Sequence, residues 1–143
     1  MDENIEGSEI EPTLLKLAHE AFRSVPFNKL LGMELTELKV GEAVLRLQTR
    51  DELSQPHGFL HGGATASMID TAMAFAVISM LGEAEKASTA DLTVHYLRPV
   101  TSGAIVCTAK VLRGGKKLLT VSAEVFNEEG KQIATAISTY AKI

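Results

Sequence analysis

Apolar residues recur at helical spacing from Pro12: Leu14, Leu15, Leu17, Ala18, Ala21 and Phe22 fall on one face, with Lys16, His19, Glu20 and Arg23 opposite. Pro12 suits the start of that helix, because its fixed φ is already helical and the N–H it lacks has no partner in the first turn. Proline disfavours helix in the residue before it, so Pro26 should end the run near Ser24. From Leu35 the period drops to two. It is clearest in AVLRLQT, where Leu45 and Leu47 alternate with Arg46 and Gln48, and it predicts one or two strands.

A second, much more apolar helical run follows over residues 62–81, with Gly82 placed to cap its C-terminus. Beyond it the chain reads only as strands. STADLTVHYLRP, AIVCTAKVLR, KLLTVSAEVF and KQIATAISTYAKI are rich in β-branched residues and are separated by VTSG, GG and NEEG. Gly114-Gly115 suits a two-residue hairpin turn with positive φ, and NEEG a four-residue loop closed by glycine. Leu119, Val121, Ala123 and Val125 share one strand face while Thr120, Ser122 and Glu124 share the other, as in an antiparallel sheet packed on one side. With one long apolar helix and one sheet, the economical α+β packing lays the helix across a curved sheet that wraps it, with the N-terminal helix as an addition.

A chain of 143 residues fits one domain, which this pattern places over residues 12–143. Residues 1–11 hold five carboxylates and little to bury, and read as a flexible acidic tail. The formal charge of −4 and the scattered lysines and arginines give no basic stripe for nucleic acid. Cys107 is the sole cysteine and the N-terminus is acidic where a targeting peptide would be basic, so a reducing cytoplasm is the expected setting. The apolar run 72–81 is about half the roughly twenty residues a membrane crossing needs, which argues against a membrane role.

Chemistry concentrates in QPHGFLHGGATASMID, residues 55–70. The first N–H groups of a helix lack partners and carry about half a positive charge, and glycine lets an oxygen approach them. A helix opening on His61-Gly62-Gly63 is therefore suited to an oxyanion or a carbonyl oxygen, although a tight strand-to-helix turn would use the same residues. Asp70 falls within about 20° of Gly63 around the helix, beside Ala66, Met73, Ala74 and Val77. A carboxylate on such an apolar side is either paired, for instance with an arginine, or functional. Gly62 and Asp70 are about 12 Å apart along one helix, so the two cannot act on one carbonyl from the same chain. If they share a site, two copies of the helix must run antiparallel across a two-fold axis.

His61 is a possible base, but beside two glycines it also suits a role in orienting the loop. Gln55 offers an amide ahead of the helix. His19, His57, His61 and His95 show no metal-ligand spacing, so no metal is expected. No nucleophile elbow, phosphate loop or dinucleotide glycine pattern occurs.

This stretch resembles the motif of hotdog-fold acyl-CoA thioesterases of the phenylacetyl-CoA and 4-hydroxybenzoyl-CoA type. In them an Asn or Gln lies six residues before the His of HGG and an acid nine after it, spacings that Gln55, His61 and Asp70 meet. DLTVHYLRPVTSGAIVCTAKVLRGGKKLL is similar to the family's strand, its LRP bend and the following hairpin, and agreement runs over roughly residues 28–143. The resemblance implies a hotdog fold and a catalytic set. Gly62 N–H would polarise the thioester oxygen, Gln55 would hold the carbonyl or water, and Asp70 of a partner subunit would act as general base or nucleophile. Thr89 would orient water or the carboxylate. Some related enzymes with a helix glutamate carry a Ser or Thr one turn later, where this chain has Ala74, so the hydroxyl is expected from the next strand. The hairpin Arg113, Gly114, Gly115, Lys116, Lys117 and Leu118 would receive the CoA of the substrate, with no separate cofactor. Phe27, Leu30, Leu31, Phe59, Met68 and Phe75 are the apolar residues that could line an acyl pocket. The implied assembly is a homodimer with shared sites, paired into a homotetramer. An enoyl-thioester hydratase or dehydratase and a non-catalytic acyl-CoA binder are the competing readings.

Overall fold

The computed structural model describes residues 7–143. Elements follow in the order α1 (Pro12–Ser24), α2 (Pro26–Leu31), β1 (Met33–Lys39), β2 (Glu42–Gln48), a short 3-10 turn (Asp51–Leu53), α3 (Gly62–Ile78), β3 (Ala87–Tyr96), β4 (Ala104–Gly114), β5 (Leu118–Asn127) and β6 (Gln132–Lys142). The six strands form one antiparallel sheet in the order β1-β2-β4-β5-β6-β3, wrapped around α3 as expected.

The sheet's inner face is built by alternation. Ala43, Leu45 and Leu47 of β2 and Leu119, Val121, Ala123 and Val125 of β5 are all buried against the helix, while their neighbours face outward. From α3, Met68, Ile69, Ala72, Met73 and Ala76 are completely buried. Burying each of the larger ones contributes about 1.5–3 kcal/mol. Because the sheet curls round it, α3 is apolar on nearly every side. Only Gly62, Gly63, Ala66, Ser67, Asp70, Thr71, Ala74 and Ile78 form a half-open stripe at helical spacing. Asp70 therefore lies at the gap in the wrap, not on a buried face.

Other boundaries differ from the sequence pattern. Helix α3 stops at Ile78, and Ser79 closes it: its Oγ donates to Ala76 O (2.6 Å) and accepts from Gly41 N–H (2.7 Å). Gly82 lies beyond the helix and donates its N–H to Glu85 (2.9 Å). Strand β1 begins at Met33, ahead of Leu35, directly after the left-handed Gly32 that ends α2. Helix α1 has the bounds expected, but the sheet meets only its Leu15, Ala18 and Phe22 edge, and Leu14 and Leu17 stay exposed. Phe22 stacks edge-on against Phe75 (5.1 Å between centroids), which seats α1 on α3. The β4–β5 connection has three residues, Gly115 to Lys117, and neither Gly114 nor Gly115 has positive φ. NEEG forms the expected tight loop, with Gly130 at φ 77° and Asn127 Oδ1 accepting from Glu129 and Lys131 N–H.

Of the stretch expected as tail, residues 1–6 lie outside the described residues. Gly7 N–H donates to Val40 O (2.8 Å), Val40 N–H donates to Ser8 O (3.0 Å), and Glu11 caps α1 through the N–H groups of Thr13 and Leu14.

Strand β3 departs from simple alternation at Ala90, an extra residue between the pairs Thr89–Tyr140 and Asp91–Thr139. Thr89 faces α3, and so do Leu92, Val94 and Tyr96. Thr89 and Tyr96 are an odd number of positions apart, so a regular strand would point them to opposite faces. The bulge supplies the missing half-period.

Candidate active site

Helix α3 presents two chemically distinct places on its half-open side, its N-terminus and Asp70. At the N-terminus His61 is the cap: its Nδ1 accepts from Gly63 N–H (2.8 Å), and its carbonyl accepts from Ala64 N–H (2.9 Å). That leaves Gly62 N–H with no partner among the described residues. Tyr96 covers the same turn from β3, donating its hydroxyl to Gly62 O (2.8 Å). A Cβ on Gly62 would lie 3.3 Å from the Tyr96 ring, so glycine is what lets the tyrosine close over the helix start.

A cleft of about 320 Å³ opens in front of Gly62, lined by Gln55, Phe59, Tyr96 and Pro99 among others. Gln55 closes a tight turn to Gly58, whose φ is 84°, and its Oε1 accepts from His57 N–H. This contact uses only the His57 main chain, and it turns the Gln55 amide so that its NH₂ remains available. On the other side of the helix start a recess of about 300 Å³ is lined by Phe27, Leu31, Leu53, His61 and Ser67. Of the six apolar residues singled out for an acyl pocket, Phe59, Phe27 and Leu31 thus border open space near Gly62. Met68 and Phe75 are core, and Leu30 is exposed on the surface.

Asp70 has no arginine beside it; among the described residues, none of the ion pairs involves it. Two hydroxyls converge instead on its Oδ1, from Thr89 (2.8 Å) and Tyr140 (2.9 Å). The Tyr140 hydroxyl also lies 2.9 Å from Asp70 O. Oδ2 accepts no bond from the described residues. Thr89, not the adjacent Ser88, is the hydroxyl that reaches the helix. Burial pushes the Tyr140 phenol well above its ordinary range, the nearby Asp70 charge adds to this, and a Thr89 hydrogen bond partly offsets it. Tyr140 therefore keeps its proton at working pH and acts as a donor. Burial also raises the Tyr96 phenol.

Tyr140 and Tyr96 are the residues that sequence reasoning missed. They are the chain's two tyrosines, but nothing local in STYAKI or TVHYLRP marks them. Tyr140 meets Asp70 only because β3 and β6, distant in sequence, pair with Thr89 opposite Tyr140.

The hairpin residues Arg113, Lys116, Lys117 and Leu118 are exposed. A cross-strand row Gly114–Leu119–Tyr140–Thr89 connects the turn to the Thr89–Asp70 contact. Gly62 opens α3, about 12 Å along the axis from Asp70, which lies at the middle of the helix. The structure thus brings together Asp70 with Thr89, and Gly62 with Gln55 and His61, as two separate groups.

The sequence profile of the thioesterase superfamily matches residues 57–134, the segment from the Gln55 turn through the start of β6. The chain belongs to the thioesterase superfamily. Within it, the medium/long-chain acyl-CoA thioesterase YigI of Escherichia coli K12 is 34% identical, with 88% of this chain and 92% of that protein covered. The E. coli acyl-coenzyme A thioesterase PaaI is 31% identical over 82% of each chain. The solved structure of the E. coli PaaI protein from the phenylacetic acid degradation operon superposes with a TM-score of 0.83 at 26% identity, covering 90% of this chain and 92% of that one. The sheet wrapped around α3 is accordingly a hotdog fold.

Proposed function

We propose that this member of the thioesterase superfamily hydrolyses acyl-CoA thioesters, with each site assembled from two copies of the chain. The observation that carries this reading is the pairing of an unengaged Gly62 N–H at a helix start with an Asp70 carboxylate held by hydroxyls. The names of the acyl-CoA thioesterase relatives support the substrate class.

Strand β3 supports a two-chain site. It is a ten-residue edge strand, mostly exposed, and an edge of that length calls for a partner. Its Thr89 end lies by Asp70 and its Tyr96 end by Gly62. Antiparallel pairing of β3 with β3 of a second copy sets the Thr89 end of one strand beside the Tyr96 end of the other. Asp70 of one chain then comes alongside Gly62 of its partner. The 12 Å that separates them within a chain ceases to be an obstacle.

In this arrangement the Gly62 N–H and the helix dipole polarise the thioester oxygen, and the Gln55 amide holds the carbonyl or the water. Asp70 Oδ2 takes a proton from water as it attacks, or attacks the carbonyl carbon itself. On the base route the electron pair pushed onto the carbonyl oxygen returns, the C–S bond breaks, and the departing sulfur takes from Asp70 the proton it drew from water, giving free acid and thiol. On the nucleophile route the C–S bond breaks to release thiolate and leave a mixed anhydride on Asp70, which water then hydrolyses to free acid and carboxylate, supplying the proton that the thiolate takes up. Arg113, Lys116 and Lys117 supply charge for the nucleotide phosphates of CoA. The hydratase reading is weakened because His61 spends Nδ1 on capping, which leaves Nε2 carrying the proton as a donor.

Asp70→Asn is expected to lower kcat on acyl-CoA substrates by at least about 100-fold without unfolding the chain. Coexpression of Gly62→Pro chains with Asp70→Ala chains should restore up to one working site per mixed dimer. Full activity of Asp70→Asn would refute the assigned role, and failure of the mixture to recover turnover would refute sharing between chains.

A further inference from the structure

We infer that Tyr140 is a positioning residue for the thioester chemistry: with Thr89 it pins Asp70 Oδ1, so that Oδ2 alone faces the reacting atoms. This inference rests on the role proposed for Asp70.

A free aspartate offers two equivalent oxygens that exchange by rotation about χ2, which is a broad and nearly two-fold torsion. Here the exchange is blocked. Thr89 Oγ1 reaches Oδ1 from β3 at 2.8 Å, and Tyr140 OH reaches the same oxygen from β6 at 2.9 Å. The two donors come from paired strands at directly opposed positions, so the sheet fixes their separation. Rotating the carboxylate would break two charge-assisted hydrogen bonds, the stronger kind in proteins. Tyr140 is also anchored far better than the aspartate it holds. It is 2% exposed, while Asp70 is on the half-open stripe. Its hydroxyl lies 2.9 Å from the Asp70 carbonyl as well, so the phenol meets both the main chain and the side chain of one residue and fixes where that turn of α3 sits.

The arrangement survives the proton transfer it serves. When Oδ2 takes a proton, Oδ1 remains a carbonyl oxygen with two lone pairs and can keep accepting from both hydroxyls. Neither donor has to reorient during turnover. Neither is consumed. A tyrosine suits this better than a second threonine because the buried phenol stays protonated and its rigid ring, packed beneath the helix, spans from strand to helix without rotatable slack.

The test uses the full-length protein and one acyl-CoA substrate. Tyr140→Phe keeps the ring and removes only the hydroxyl; kcat should fall roughly 10- to 100-fold with KM within about two-fold, the size expected for losing one hydrogen bond to a charged group. The decisive measurement repeats the substitution in an Asp70→Asn background. If the phenol acts through Asp70, the loss seen in the wild-type background shrinks to within about two-fold there. A purely structural role would lower the residual rate by the same factor in both backgrounds, and that equality overturns the inference. Wild-type kcat in Tyr140→Phe, with Asp70→Asn inactive, also overturns it while leaving the proposed function intact. Undiminished activity in Asp70→Asn would instead overturn the proposed function itself.

Discussion

A Cβ on Gly63 would meet His61 Nδ1 at 2.9 Å, so the imidazole and the glycine form one unit in which the ring folds back over the first turn of α3. Asparagine can cap in the same way. His61→Ala should therefore destabilise the fold by about 1 kcal/mol, the usual cost of losing a helix cap, and His61→Asn should recover most of it in urea unfolding. The same pair separates capping from catalysis. If His61 is a cap, His61→Asn retains most of its thioesterase turnover; a stable but inactive His61→Asn protein would assign the histidine to the chemistry. The motif Gln55, His61, Gly62 and Asp70 was legible because it is local: every member lies within sixteen residues, and helix geometry alone determines which of them can meet. Thr89 was reachable only by resemblance. Tyr140 was not reachable, since its contact with Asp70 spans 70 positions and depends on strand register.

Among the elements, the strand meander was readable because burial there follows the period of 2, and the long helix because its apolar run is too long for a strand. What failed was punctuation. Ser79 ends α3 through a bond to Gly41, a residue 38 positions away, and no local rule favours it over Gly82. In the β4–β5 turn, a Cβ on Gly115 would lie 2.8 Å from Leu118 O, so glycine there serves close backbone approach and not positive φ. This turn carries Arg113, Lys116 and Lys117 exposed to solvent. Replacing all three with glutamine should raise KM for acyl-CoA by roughly 10-fold, yet leave a short acyl-pantetheine thioester without nucleotide phosphates unaffected. Equal effects on both substrates would remove the hairpin from phosphate binding. Raising the ionic strength should narrow the difference.

In the molecule as a whole, the sheet's inner face closes on α3 tightly enough, away from the Asp70 gap, that one residue reports on its integrity. Cys107 is completely buried on β4, and burial, with a smaller contribution from Glu124, pushes its thiol up to about 12. At pH 8 its thiolate fraction is on the order of 1,000-fold below that of an ordinary exposed cysteine, and reagent cannot reach it without opening the wrap. Labelling by a thiol-reactive disulfide should thus be slow in the native protein and track the loss of helical circular dichroism as urea is raised. Rapid stoichiometric labelling without denaturant would contradict the closed core. The bulge at Ala90 has a different kind of reach. It lets a single strand serve both the start and the middle of α3, and it does so by residue count. Descendants of this gene can exchange side chains along the solvent face of β3 at little cost. Loss of one codon between Thr89 and Tyr96, however, turns one end of the strand inside out while every recognisable motif stays in the reading frame. Inheritance along this strand therefore constrains its length before its letters.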